Sequence, residues 1–68
     1  MELSARNQLR GKVKSVKLGA VMAEVVVELA GGQEVVAEIS KGSVERLKLQ
    51  GGDAVTAIVK ATSVMIGK

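Results

Sequence analysis

The sequence predicts an all-β fold, a small barrel of five short strands with one short helical turn, and three observations lead to it. Apolar and polar residues alternate with a period of two through most of the chain, which places alternate side chains on one face of a strand. The core residues on offer are chiefly valine, with no Phe, Tyr or Trp, and β-branched side chains suit a pleated surface better than a helix. Glycine pairs at Gly31-Gly32 and Gly51-Gly52 punctuate the alternation. With 68 residues the chain makes one domain, residues 1–68, too short for a crossover-rich α/β fold.

The first strand runs from Ser4 to Leu18 with an interruption. Leu9 and Val13 share one parity and Val16 and Leu18 the other, so the phase changes near Ser15, as a β-bulge would make it. Gly11 nearby lets such a strand bend. The second strand carries Val21, Ala23, Val25, Val27 and Leu29 on one face and Met22, Glu24, Val26 and Glu28 on the other. Ala30-Gly31-Gly32-Gln33 reverses the chain into a third strand, in which Val35, Ala37 and Ile39 alternate with Glu34, Val36 and Glu38, and the two form a hairpin. After Ser40-Lys41-Gly42 the period changes, and Ser43 is placed to cap a helical turn through Val44-Glu45-Arg46-Leu47, with Leu47 and Leu49 returning to the core. A fourth strand from Ala54 to Lys60 and a short fifth from Val64 to Ile66 complete an OB-like Greek-key barrel.

Several function classes are disfavoured. Histidine and cysteine are absent and no serine has an evident base beside it, so the chain reads as a non-enzyme. The acids are spread as on a solvated strand face rather than clustered as metal ligands, and neither glycine pair sits in a phosphate-loop pattern. No apolar run is long enough to span a membrane, and the opening Met1-Glu2-Leu3-Ser4-Ala5-Arg6 lacks a signal-peptide pattern, so the expected location is the cytoplasm. A chain this small has a thin core and neither disulfide nor metal staple, which points to self-association. Val26, Val36, Ile58 and Met65, on faces a monomer would expose, point the same way.

A net charge of +3 favours an anionic partner without naming it: phosphate, nucleic acid, lipid or a small oxyanion. An unprotonated oxyanion offers only acceptors and needs a ring of donors. Two segments, Ser4-Ala5-Arg6-Asn7-Gln8 and Lys60-Ala61-Thr62-Ser63, are candidates to hold an anion, and the donors it needs are a hydroxyl such as Ser4 or, outside these segments, Ser40, a guanidinium such as Arg6, an ammonium such as Lys60 and free backbone N–H groups. The same residues read equally well as surface charges and loop polars. A nucleic-acid-binding barrel is a rival reading that the lack of aromatic stacking platforms opposes, and a purely structural oligomerisation module is another.

At these residues the chain resembles the molbindins, also called molybdenum-pterin-binding proteins. The matching pieces are Ser4-Ala5-Arg6-Asn7-Gln8-Leu9-Arg10-Gly11-Lys12-Val13, Ala23-Glu24-Val25-Val26, Ala30-Gly31-Gly32, Ile39-Ser40 with Ser43-Val44-Glu45, and Val64-Met65-Ile66. The resemblance implies reversible binding of molybdate or tungstate for storage or homeostasis. It further implies an OB-like barrel assembled by strand exchange into a homo-oligomer, a hexamer built as a trimer of dimers, with sites between subunits and no other cofactor. It implies Ser4 and Arg6 as side-chain donors, the backbone of Ala5, Lys60 with the Ala61 N–H, and Ser40 where the family offers a hydroxyl. Some members carry serine where this chain has Ala61, so one possible hydroxyl is missing here. A second class of site near a symmetry axis would fall on Lys17-Leu18-Gly19-Ala20, where Lys17, Gly19 and Ala20 are the residues of interest and a plain hairpin turn is the competing reading.

Overall fold

The computed structural model describes residues 3–68, so the part of the targeting-signal reading that rests on Met1 and Glu2 lies outside the described residues. Four strands form: β1 (Asn7–Leu18), β2 (Met22–Leu29), β3 (Glu34–Ser40) and β4 (Ala54–Val59), with a helix α1 (Lys41–Leu47) before β4 and a 3-10 turn (Ala61–Ser63) after it. They make one antiparallel sheet in the order β3-β2-β1-β4. In this Greek-key order the last strand returns beside the first. The sheet curls into a half-barrel, and α1 packs against β2 and β3 with Val44 in the core.

The phase change in β1 is a bulge. Val13 faces Val27 but Ser15 faces Val26, leaving Lys14 as the extra residue. Its side chain turns outward to pair with Glu34, and that contact raises the Lys14 pKa above its ordinary value. The bulge is anchored from behind by the loop after α1: Gly52 N–H donates to the Val13 carbonyl at 2.8 Å, and Val13 N–H donates to the Asp53 carbonyl at 2.9 Å. Gly52 is able to do this because it adopts φ 92°, a conformation that side chains disfavour. Gly32, at φ 86°, serves the β2–β3 reversal in the same way, its N–H donating to the Leu29 carbonyl.

Inward-facing residues supply the core, as the alternation predicts. Val13, Ala23, Val25, Val27 and Val44 are buried, and Val16, Leu29, Ile39, Leu49 and Val55 pack against them. All are aliphatic, and none of the larger side chains is fully buried. The two outer strands leave an apolar hollow of about 350 Å³ on the concave side, lined among others by Val25, Val35, Ala37, Val55 and Val59.

Several expectations are corrected. The first strand begins at Asn7, not Ser4, and the fourth ends at Val59. The fifth strand is absent: residues 64–68 have no regular structure, and Met65 and Ile66 are 92% and 89% exposed. The tail follows the 3-10 turn and pairs with neither outer strand of the sheet. Leu47 does not return to the core, being 64% exposed, because the inward position on so short a helix goes to Val44. Val21 likewise falls in the turn before β2 and is exposed.

The helix cap is Ser40, not Ser43. Ser40 keeps extended backbone angles and its Oγ accepts from the Ser43 N–H at 3.1 Å, while the two hydroxyls share a hydrogen bond at 2.8 Å. Ser43 is thus the capped residue. Ser40→Ala is expected to lower stability by about 1 kcal/mol, with Ser40→Asp retaining most of it, as thermal unfolding of the two variants would show.

Candidate functional site

Register places the two chain ends together. Asn7 pairs with Val59 at the end of the β1–β4 ladder, so the residues before β1 and those after β4 leave the sheet side by side. Between them lies a depression of about 580 Å³, lined by Ser4, Ala5, Arg6 and Asn7 from one end and Lys60, Ala61 and Thr62 from the other. Short local bonds shape both walls. Gln8 Nε2 donates to the Ala5 carbonyl at 2.8 Å, turning the first segment across the strand end. In the second, the Ser63 N–H donates to the Lys60 carbonyl at 2.9 Å, and this tight turn holds residues 60–62 facing the first segment.

The depression concentrates donors. It holds a guanidinium, an ammonium, two hydroxyls and a primary amide, and among the described residues no carboxylate lines it. All of its side chains are exposed except that of Ala5, which is half-buried, so a bound anion would compete with water from one side. Two cations converging on one open hollow favour a compact species of negative charge.

Five of the six residues expected at the first site are therefore gathered in one place: Ser4, Ala5, Arg6, Lys60 and Ala61. Ser40 is not. It sits at the end of β3 beside Met22, on the outer strand farthest from β4 and at the opposite end of the sheet from Asn7, with its hydroxyl engaged as the helix cap. Asn7 and Thr62 line the same depression and were not singled out from the sequence. They stand inside the two segments read there as anion holders, but only the Asn7–Val59 register reveals that both face the same space.

The second expected site fares differently. Lys17 and Gly19 line a shallow depression of about 260 Å³, but Ala20 does not, and Glu24 and Glu38 line it too. Gly19 N–H is already donated to the Met22 carbonyl at 2.8 Å. Within one chain this place has one cation, two carboxylates and a spent donor, which is poor ground for an anion. Three of the four β1 cations stand near acids: Lys12 and Lys17 lie opposite Glu28 and Glu24 in the β1–β2 register, and Lys14 reaches Glu34. Among the described residues no group of three or more His, Cys, Asp or Glu is placed to hold a metal ion, and no helix is long and apolar enough to cross a membrane.

Fold and depression together define a small all-β module whose chain ends meet in a cationic, hydroxyl-rich hollow. The TOBE domain profile matches residues 3–66. Molybdenum-pterin-binding protein 3 of Clostridium pasteurianum is 54% identical over 66 residues, covering 97% of each chain. A molybdate-binding protein of Sporomusa ovata superposes with a TM-score of 0.94 at 46% identity over the whole of both chains. The cytoplasmic molybdate-binding protein ModG, solved with molybdate bound, superposes with a TM-score of 0.86 at 44% identity, covering 90% of this chain and 43% of its own. The chain belongs to the TOBE-domain family, in its molybdenum-pterin-binding, or molbindin, branch.

Proposed function

We propose that this protein reversibly binds molybdate or tungstate, as a store or buffer and not as a catalyst. The observation that carries this reading is the depression at the chain ends, where Arg6 and Lys60 converge with Ser4, Asn7 and Thr62. Charge-assisted donors of this kind offset the desolvation of a dianion that has no proton of its own to give. The names of the relatives support the choice of ion, and ModG's description as cytoplasmic supports a cytoplasmic location.

The working form in this proposal is a hexamer, a trimer of strand-exchanged dimers, with the sites completed between subunits. Three features support exchange: a sheet with two open edges, an apolar hollow on its concave side, and the exposed apolar run Val64-Met65-Ile66. The tail of one copy, added as a fifth strand to another, would cover apolar surface that the lone chain leaves in water. Ser40 joins a site in this arrangement only if a second chain brings it there.

Calorimetric titration of the purified protein with sodium molybdate tests the proposal, with native mass spectrometry alongside. Saturable binding to a hexamer, with a rise in melting temperature, is the expected result. Absence of heat together with an unchanged melting temperature would remove the oxyanion reading.

A further inference from the structure

Resting on the oxyanion reading above, we propose that Arg10 is a capture residue for the incoming anion. It stands outside the depression and draws a dianion along the outer face of β1 toward the chain ends, so it governs how fast the ligand arrives and not how firmly it is held. The division of charge across the sheet carries this reading. Glu24, Glu28, Glu34 and Glu38 all lie on β2 and β3, whereas β1 and β4 carry no acid. The two strands that lead to the depression therefore present cations and neutral side chains, and the acids belong to the other half of the sheet.

Of the β1 cations, Arg10 alone has no acid beside it in register. Lys12 and Lys17 lie opposite Glu28 and Glu24, and Lys14 reaches Glu34. Arg10 lies opposite Thr56 on β4, and the β1–β2 pairing begins one residue later, at Gly11. Glu28 lines a shallow hollow with Arg10 and Lys12, but it stands opposite Lys12, and among the described residues Arg10 makes no ion pair. Asp53 lies farther along, its carbonyl accepting from the Val13 N–H. Arg10 is three residues from Asn7, about 10 Å along the strand, and one step beyond the Asn7–Val59 pair stand Arg6 and Lys60. It is exposed and does not line the depression, so it gives a bound anion no hydrogen bond. Its field still reaches an approaching one, because screening acts over about 30 Å at 0.01 M salt and about 3 Å at 1 M. A charge at the rim of a site acts on the association rate and its salt dependence.

Dissociation constants from calorimetric titration with sodium molybdate, and release rates from a chase of radiolabelled molybdate by unlabelled ion, separate arrival from hold. At about 0.01 M ionic strength Arg10→Gln is expected to slow association about two- to threefold and Arg10→Glu about five- to tenfold, with release changed less than about 1.5-fold. Both differences should close at about 0.5 M sodium chloride, and Arg10→Lys should keep the unsubstituted rate. Arg46→Glu makes the same change of net charge on α1 and is expected to slow association less than about twofold. An association rate that Arg10→Glu leaves unchanged overturns the inference, as does a loss that appears in release or persists at high salt, or equal slowing by Arg46→Glu. In those cases molybdate binding stands and only the capture role falls; if the unsubstituted protein binds no molybdate, the role and the oxyanion reading fall together.

Discussion

Arg6→Ala is expected to weaken molybdate binding between about tenfold and a hundredfold, and Lys60→Ala by a similar factor. Each removes a charged donor from a hollow where the anion gives up part of its water, and such hydrogen bonds contribute about 1.5–3 kcal/mol, with about 1.4 kcal/mol per tenfold in affinity. The double variant should lose less than the sum of the two, because both cations act on one ligand. Arg46→Ala is the control: its guanidinium donates to the Ser43 hydroxyl on α1, and it does not line the depression. Calorimetric dissociation constants for the unsubstituted protein and the four variants decide the matter. Unchanged constants in both single variants would move the site away from the chain ends, and loss in Arg46→Ala would point to the α1 face.

Gly11→Ala is expected to be the most damaging single substitution outside the site. Gly11 lies at the middle of the sheet, paired with Leu29 on one side and Val55 on the other. A Cβ there would come within 2.8 Å of Val27 Cγ1 and still closer to the Glu28 carbonyl oxygen. The valine tip is able to turn aside, but the carbonyl belongs to β2 and moves only with the strand. Overpacking of this kind costs about 1–3 kcal/mol, against a total of about 3–5 kcal/mol for a single core of this size. A fall in melting temperature of roughly 4–24 °C should follow, at about 4–8 °C per kcal/mol. Gly31→Ala is the matching control, since its Cβ would meet nothing within 4 Å and its backbone is not left-handed. Equal melting temperatures for the two variants would mean that β1 and β2 are free to separate at this point.

The strands and the bulge were legible because each depends on residues close together in the chain. Val25 and Val27 alternate with Glu24, Val26 and Glu28, and both valines are buried. The parity change between Val13 and Val16 is a bulge because only an extra residue shifts a period of two. Nothing local separates Ser40 from Ser43 as the cap, since both precede the apolar Val44. The choice fell to Ser40 when β3 ran as far as that residue and left its hydroxyl over the Ser43 N–H.

The candidate site was legible in its residue types and not in its assembly. Arg6 and Lys60 stand out in sequence as donors an anion needs, but 53 residues separate them, and no periodicity states that they meet. Their meeting depends on the antiparallel pairing of β1 with β4 in one register, Asn7 against Val59, which also brings Asn7 and Thr62 to the same hollow. The tail shows the same division from the other side. Val64-Met65-Ile66 has the composition of a strand, but a strand exists only where an edge accepts its hydrogen bonds, and the tail pairs with neither outer strand of its own sheet. Side-chain alternation and turn chemistry are local properties, so the amino-acid sequence by itself determined the all-β class, the bulge, the hairpin and the absence of aromatic and imidazole chemistry. Strand order, register and the partner of each edge are non-local, and only the tertiary structure decided which donors share a hollow and which apolar segment is left without a partner.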